Sequence, residues 1–184
     1  MEKLPKLQDL LSDIEMKSEQ NELNILLNTK PNQKWVKDHP FAKGVKYIPI
    51  ERIEWLLTSI FIRWNIEIKS INLIANSVVV TIRLYYQDRL SNQVLWQDGV
   101  GACPLQTDQG AGAIEFNKIK SNAIMLAAPA AESYAIKDAA EKIGKIFGKD
   151  LNRKDEIGYG ALHKAIQKEE KHKEIFEETN TKNE

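Results

Sequence analysis

Residues Ala130–Arg153 read AAESYAIKDAAEKIGKIFGKDLNR. Ile136, Ala140, Ile143 and Phe147 recur at helical spacing and form an apolar stripe. Lys142, Lys145 and Lys149 recur at the same spacing on the opposite side. The stretch predicts one amphipathic helix, buried on one face and basic on the other. Phe147 would anchor its end in a core, and Gly148 suits the left-handed conformation that closes helices. Such a helix can pack on a sheet and face a polyanion.

The sequence upstream supplies that sheet. Ile50, Ile53, Leu57, Ile60 and Phe61 follow Pro49, so a first helix starts near Pro49 and ends before Trp64. Ile66 and Ile68 alternate with Glu67 and Lys69, as in a strand. Ser77–Tyr86, SVVVTIRLYY, is rich in β-branched and aromatic residues and is a second strand. Asn76-Ser77 is the turn between them. Gln87–Asn92 is a polar turn, and Gln93–Ala102 is a third strand ending in glycines. Short connections predict an antiparallel meander, and the order helix, three strands, long helix predicts an α+β fold. The loop Pro104–Ala113 contains Gly110-Ala111-Gly112, but no Lys-Ser/Thr follows, so it is not a phosphate loop. Helical sequence resumes near Phe116 and runs to about Phe147, with a break or bend expected at Pro129.

Three regions result. Residues 1–40 hold a short helix bearing Leu4, Leu7, Leu10, Leu11 and Ile14, then a polar connector from Asn21 to Pro40. Residues 41–153 form the core domain. Residues 154–184 are a highly charged tail.

The 184 residues are 42% hydrophobic and carry no formal net charge, so any polyanion binding must come from local charge. Residues 118–153 hold seven basic and four acidic side chains, whereas the tail holds six and eight. Positive charge therefore concentrates in the last helix of the core. One cysteine, Cys103, excludes a disulfide within the chain and argues against a cysteine zinc site; it reads as buried or half-buried. No stretch approaches the roughly 20 apolar residues of a membrane span. The first residues lack an apolar signal region, so a cytoplasmic location is expected. His39, His163 and His172 lie in the connector or tail, and there is no H-E-x-x-H, paired-acid or Walker motif. No enzyme, cofactor or metal is expected, and Asp98 before Gly99 reads as a turn residue.

The succession of elements resembles the Rad fifty-two family of single-strand annealing proteins, whose core is shared by phage recombinases of the Sak type. The resemblance covers roughly Val45 to Asn152. It rests on Tyr47-Ile48 with Arg52, on Trp64 entering the first strand, on Asp98-Gly99-Val100-Gly101, and on the run from Ala139 to Gly148. It implies an oligomeric ring or helical filament of β-β-β-α units with single-stranded DNA in a positive groove. It implies ATP-independent annealing of complementary strands in recombination or repair, in a phage-encoded protein. A nuclease or single-strand-binding protein is the kind of partner it brings. Arg52, Lys142 and Lys145 match positions that contact the DNA backbone, Lys149 extends their row, and Lys118 and Lys120 lie near a second basic region. Glu141, the long loop from Cys103 to Asn117, and Pro129 depart from the family pattern.

Each assignment has an alternative. Arg52 can pair with Glu51 or Glu54, and the lysine row can be a solvated face. Tyr85, Tyr86, Trp64 and Trp96 can stack on bases, or fill a core or subunit interface. Helix, three strands and helix is also the double-stranded RNA-binding topology, although Ala-Pro-Ala-Ala-Glu at residues 128–132 lacks the lysine cluster those domains carry there. A non-enzymatic oligomeric scaffold that meets acidic partners is the other alternative.

Overall fold

Val78, Val80, Ile82, Leu84 and Tyr86 are buried, and each alternates with a half-buried neighbour along strand β4, Ser77–Gln87. This two-residue period marks a strand with one face in a core. The computed structural model describes residues 21–39, 43–112 and 115–153. The segment bearing Leu4 to Ile14, Phe41 and the tail from residue 154 lie outside the described residues. The chain divides into two units, Met1–Asn152 and Arg153–Glu184, and the elements described below belong to the first.

β3, Trp64–Ile74, and β5, Val94–Pro104, flank β4 in an antiparallel sheet of order β3-β4-β5. The expected α+β meander is the architecture adopted. The first turn falls at Ala75-Asn76, one residue before the expected place, with Ala75 at φ 52°. The glycines do not end the third strand. β5 continues through Gly99 and Gly101 to Pro104, and Asp98 lies within the strand rather than in a turn.

β3 contains a register shift between Ile68 and Ser70. Ile66 and Ile68 sit opposite Leu84 and Ile82, whereas Ile71 and Leu73 sit opposite Val80 and Val78. Paired residues share a sheet face. The shift therefore keeps all four apolar side chains on the core side while the sequence phase changes by one.

Helix α3, Ala123–Ile143, lies over β5 and β4. Its Ala127, Ala131, Ala135 and Ala139 are buried, one per turn, and face the glycines of β5. A Cβ on Gly99 would overlap the Ala135 carbonyl oxygen and come within 2.8 Å of Ala139 Cβ. A Cβ on Gly101 would overlap the Ala131 carbonyl oxygen and the Ala135 nitrogen. Small residues on both sides thus let helix backbone meet strand backbone. α3 runs unbroken through Pro129, contrary to the expected break. The lost hydrogen bond and ring clash cost about 3 kcal/mol in an isolated helix. Burial of Ala127 and Ala131 on either side of Pro129 offsets that cost.

The helical sequence expected from Phe116 to Phe147 is instead three pieces. A 3-10 turn, Phe116–Lys118, precedes α3, and Ile119 bridges back to Thr107. α3 stops at Ile143 because Gly144 is extended and lies against Leu27 near the start of the described chain. A Cβ there would come 2.5 Å from the Leu27 carbonyl oxygen. A second 3-10 turn, Lys145–Phe147, follows, and Gly148 closes it at φ 106°. Phe147 is 1% exposed, as its anchoring role required.

Helix α2, Ile50–Ile60, begins after Pro49 and buries Ile53, Leu56, Leu57 and Ile60. It packs on α3, and Phe61 at its end meets Tyr86 with ring centroids 4.6 Å apart. Before α2, strands β1, Lys37–Asp38, and β2, Lys46–Tyr47, make a two-stranded hairpin. Within the expected connector, residues 21–28 form α1, whose Leu23 and Leu27 pack against the core.

Candidate nucleic-acid interface

The lysine row of the last helix does not exist as a row. Because α3 ends at Gly144, Lys145 turns inward. It is 9% exposed, and its Nζ lies 2.9 Å from Asp150 Oδ2. Its position is that of a core ion pair, not a solvated face. Lys142 remains on α3, and its Nζ donates to the Asp98 carbonyl oxygen at 2.6 Å and to Asp138 Oδ2 at 2.8 Å. Asp138 Oδ2 also accepts the Val100 N–H at 3.0 Å. These two side chains reach round the outer edge of β5 and satisfy backbone groups there. The close glycine–alanine contact brings them within reach.

Lys149 is exposed in the turn after Gly148. That turn is tied to β2, since Asn152 Oδ1 accepts the Lys46 N–H at 2.7 Å and Asn152 Nδ2 donates to the Lys46 carbonyl at 2.8 Å. Lys118 and Lys120 precede α3, at the end remote from Lys149; the helix between spans about 30 Å. Lys118 pairs with Glu115 at 3.0 Å. Lys145 is therefore withdrawn from any exposed groove, and Lys118 and Lys120 are set apart from Lys149 by the length of α3.

Arg52 is exposed on α2, and a second group of residues gathers beside it. Its guanidinium lies 6.0 Å from the Trp35 ring centroid. Trp35 meets Trp55 edge to face, at 5.6 Å and 72°. Lys137 Nζ sits 4.8 Å from the Tyr47 ring and 5.3 Å from the Tyr134 ring. His39 touches both tyrosines, at 5.8 Å and 6.5 Å. Burial pulls the Lys137 ammonium below the usual lysine range, while Glu51 and Glu141 oppose that shift. Glu51 links the two groups, since it precedes Arg52 and acts on Lys137. The result is two cation–aromatic groups, Arg52 with Trp35 and Trp55, and Lys137 with Tyr47, Tyr134 and His39, with Glu51 between them in its charge effect.

Each element presents its part for a local reason. α2 buries Ile53, Leu56, Leu57 and Ile60, which leaves Arg52 and Trp55 outward. Trp35 sits in a 3-10 turn, Gln33–Trp35, fixed by Asn32 Oδ1 accepting the Lys34 N–H at 3.0 Å. Tyr134 and Lys137 are three apart on α3 and so lie on one side of it. Lys137, Tyr134, His39 and Trp35 were not expected at the site, because they come from three separate segments; Tyr47 had entered only as a motif residue of the resemblance. One signal was available. Residues 30–37, KPNQKWVK, interleave Lys30, Lys34 and Lys37 with Trp35 and contain no acid.

The sheet face away from α3 is occupied differently. Arg83 donates to both oxygens of Asp98, at 2.7 Å and 2.9 Å, and lies 3.8 Å over the Trp96 ring. This pairing holds the Asp98 carboxyl below the usual range and raises the Arg83 guanidinium further. The Tyr85 hydroxyl donates to Glu67 Oε2 at 2.8 Å. Trp64 is half-buried, and its Nε1 donates to Thr58 Oγ1 at 2.9 Å. Tyr86 is in the core. Cys103 is half-buried, and burial pushes its thiol up.

Among the described residues, no helix is long and apolar enough to cross a membrane. Among them too, no cluster of three or more His, Cys, Asp or Glu could hold a metal ion. No protein-family model matches the chain, and no curated protein is significantly similar to it.

Proposed function

We propose that this chain binds single-stranded DNA and anneals complementary strands without ATP, as a homo-oligomer. The observation that carries the reading is the pair of cation–aromatic groups, Arg52 with Trp35 and Trp55 and Lys137 with Tyr47 and Tyr134. Annealing requires no covalent chemistry. It requires cations to offset phosphate charge and a surface that tolerates any sequence, which aromatic rings and point charges supply. Arg52 and Lys137 are the central phosphate contacts. Exposed Lys34, Lys37 and Lys149 extend them. The β-β-β-α order and the resemblance to single-strand annealing proteins support the same reading.

Assembly has its own support. Ile68, Ile71 and Leu73 lie on the core side of β3, yet they are 47%, 57% and 58% exposed, because α3 packs chiefly on β4 and β5. Ile124, Met125 and Leu126 at the start of α3 are also exposed. Apolar rows of this kind mark contacts between copies. They equally suit a non-enzymatic oligomeric scaffold, which would share the assembly and lack the DNA binding. Mixing the protein with two complementary labelled strands without ATP, across a salt series, separates the two. Salt-sensitive acceleration of duplex formation is expected. Neither acceleration nor binding at low salt would leave the scaffold.

A further inference from the structure

We infer that the Trp35–Trp55 pair is a base-stacking ledge, which makes this surface a reader of unpaired rather than paired bases; the inference rests on the DNA-binding reading above. Trp55 is 51% exposed on α2, directly before buried Leu56 and Leu57. A large apolar ring turned outward from a helix with a well-filled inner face contributes nothing to that core. Trp35 meets it at 72°, so the two rings do not cover each other face to face. In such a pair, the ring that offers its edge keeps both faces clear of its partner.

The surroundings select the occupant. The Arg52 guanidinium lies over the Trp35 ring, 6.0 Å from its centroid, and exposed Lys34 and Lys37 adjoin Trp35 in the chain. Cations around an open aromatic face suit a polyanion that carries flat rings. Each base of a duplex is already stacked above and below, so a ledge can take a base only from a single strand. Trp96, equally exposed, is a poor site by the same criterion. Arg83 lies 3.8 Å over its ring and is itself held by Asp98. The Trp35–Trp55 ledge is pre-set, because the Asn32 cap fixes the turn that carries Trp35.

The test uses the full chain and a labelled oligothymidylate, with a hairpin duplex as comparison. Affinity is read by anisotropy, stacking by quenching of tryptophan emission, and assembly by light scattering. Loss of base stacking costs about 1–3 kcal/mol per base, which is roughly 5- to 150-fold in affinity. Trp55→Ala is expected to weaken oligothymidylate binding within that range. The slope of affinity against salt should stay unchanged, since no phosphate contact is lost. Trp55→Phe should restore most of the affinity, and duplex binding should not move. Wild-type affinity in Trp55→Ala would overturn the ledge and leave the DNA-binding reading standing. Equal losses for duplex and single strand would also overturn it, as would a change in assembly accompanying the loss, which would mark a contact between copies. No binding by the wild-type chain would remove both proposals.

Discussion

Replacing Gly101 by Ala tests whether α3 truly rests on the backbone of β5. The added methyl would overlap the Ala131 carbonyl oxygen and the Ala135 nitrogen, and would come 2.9 Å from the Tyr134 carbonyl carbon. All three are helix backbone atoms, so no side chain can swing aside. The helix must retreat by roughly an ångström, and a gap of that size forfeits a quarter to a half of each contact it opens. Ala131, Ala135 and Ala139, each fully buried, lose contacts together. Overpacking of this kind costs about 1–3 kcal/mol, occasionally more. With the seam opened as well, about 3 kcal/mol is expected, or roughly 6–12 °C in melting temperature at this chain length. Thermal and urea unfolding followed by circular dichroism measure it. Gly112→Ala is the comparison, because a Cβ there would meet its nearest atom, Glu115 Oε2, at an ordinary 3.6 Å. That variant should stay within about 0.5 kcal/mol of wild type. Equal melting of Gly101→Ala and wild type would refute the close seam.

Arg52→Ala and Lys137→Ala should each weaken single-strand binding and lower the slope of log affinity against log salt by about 0.7; an unchanged slope would remove that residue from the interface. Lys145→Ala should act on folding instead. Removing one partner of a buried pair costs about 3–5 kcal/mol, with the low end apt for a side chain 11% exposed, and the residual folded protein should keep its salt slope. Acid should destabilise the sheet through Asp98. Its folded carboxyl titrates below the ordinary range because Arg83 holds it charged. Its contribution is therefore present above the ordinary carboxylate value, and is lost as pH falls through the depressed one. Melting temperature followed downward from about pH 6 should fall less steeply in Asp98→Asn, which no longer titrates; parallel curves would exclude Asp98 as a source of the acid loss.

The sheet was legible because Ser77–Tyr86 is rich in the β-branched and aromatic residues that strands favour, and its burial then alternates without interruption. The β3 register shift was also written in the chain, where Ile68 is followed by Ile71 rather than by an apolar residue at position 70. The length of α3 was not. Helical periodicity continues across Gly144, and what ends the helix is the Leu27 backbone, a contact from a hundred residues upstream. That single event moved Lys145 from surface to core. Gly99 and Gly101 looked like a strand terminus because glycine is poor in strands; only the alanine ladder facing them gives them their purpose. Arg52 and Tyr47 were found by resemblance, but Trp35 and Lys137 were not, since nothing in a linear pattern links them to Arg52.

The two borders of the sheet are unlike. Asp138 and Lys142 close the middle of the β5 side, while β3 has no such cover from α3. Among the described residues, strand addition between copies is therefore obstructed on the β5 side. Two copies joining β3 to β3 would use up the β3 side and stop, as a dimer. A ring or filament of many copies has to propagate through side-chain surfaces, with each sheet remaining a separate three-stranded unit.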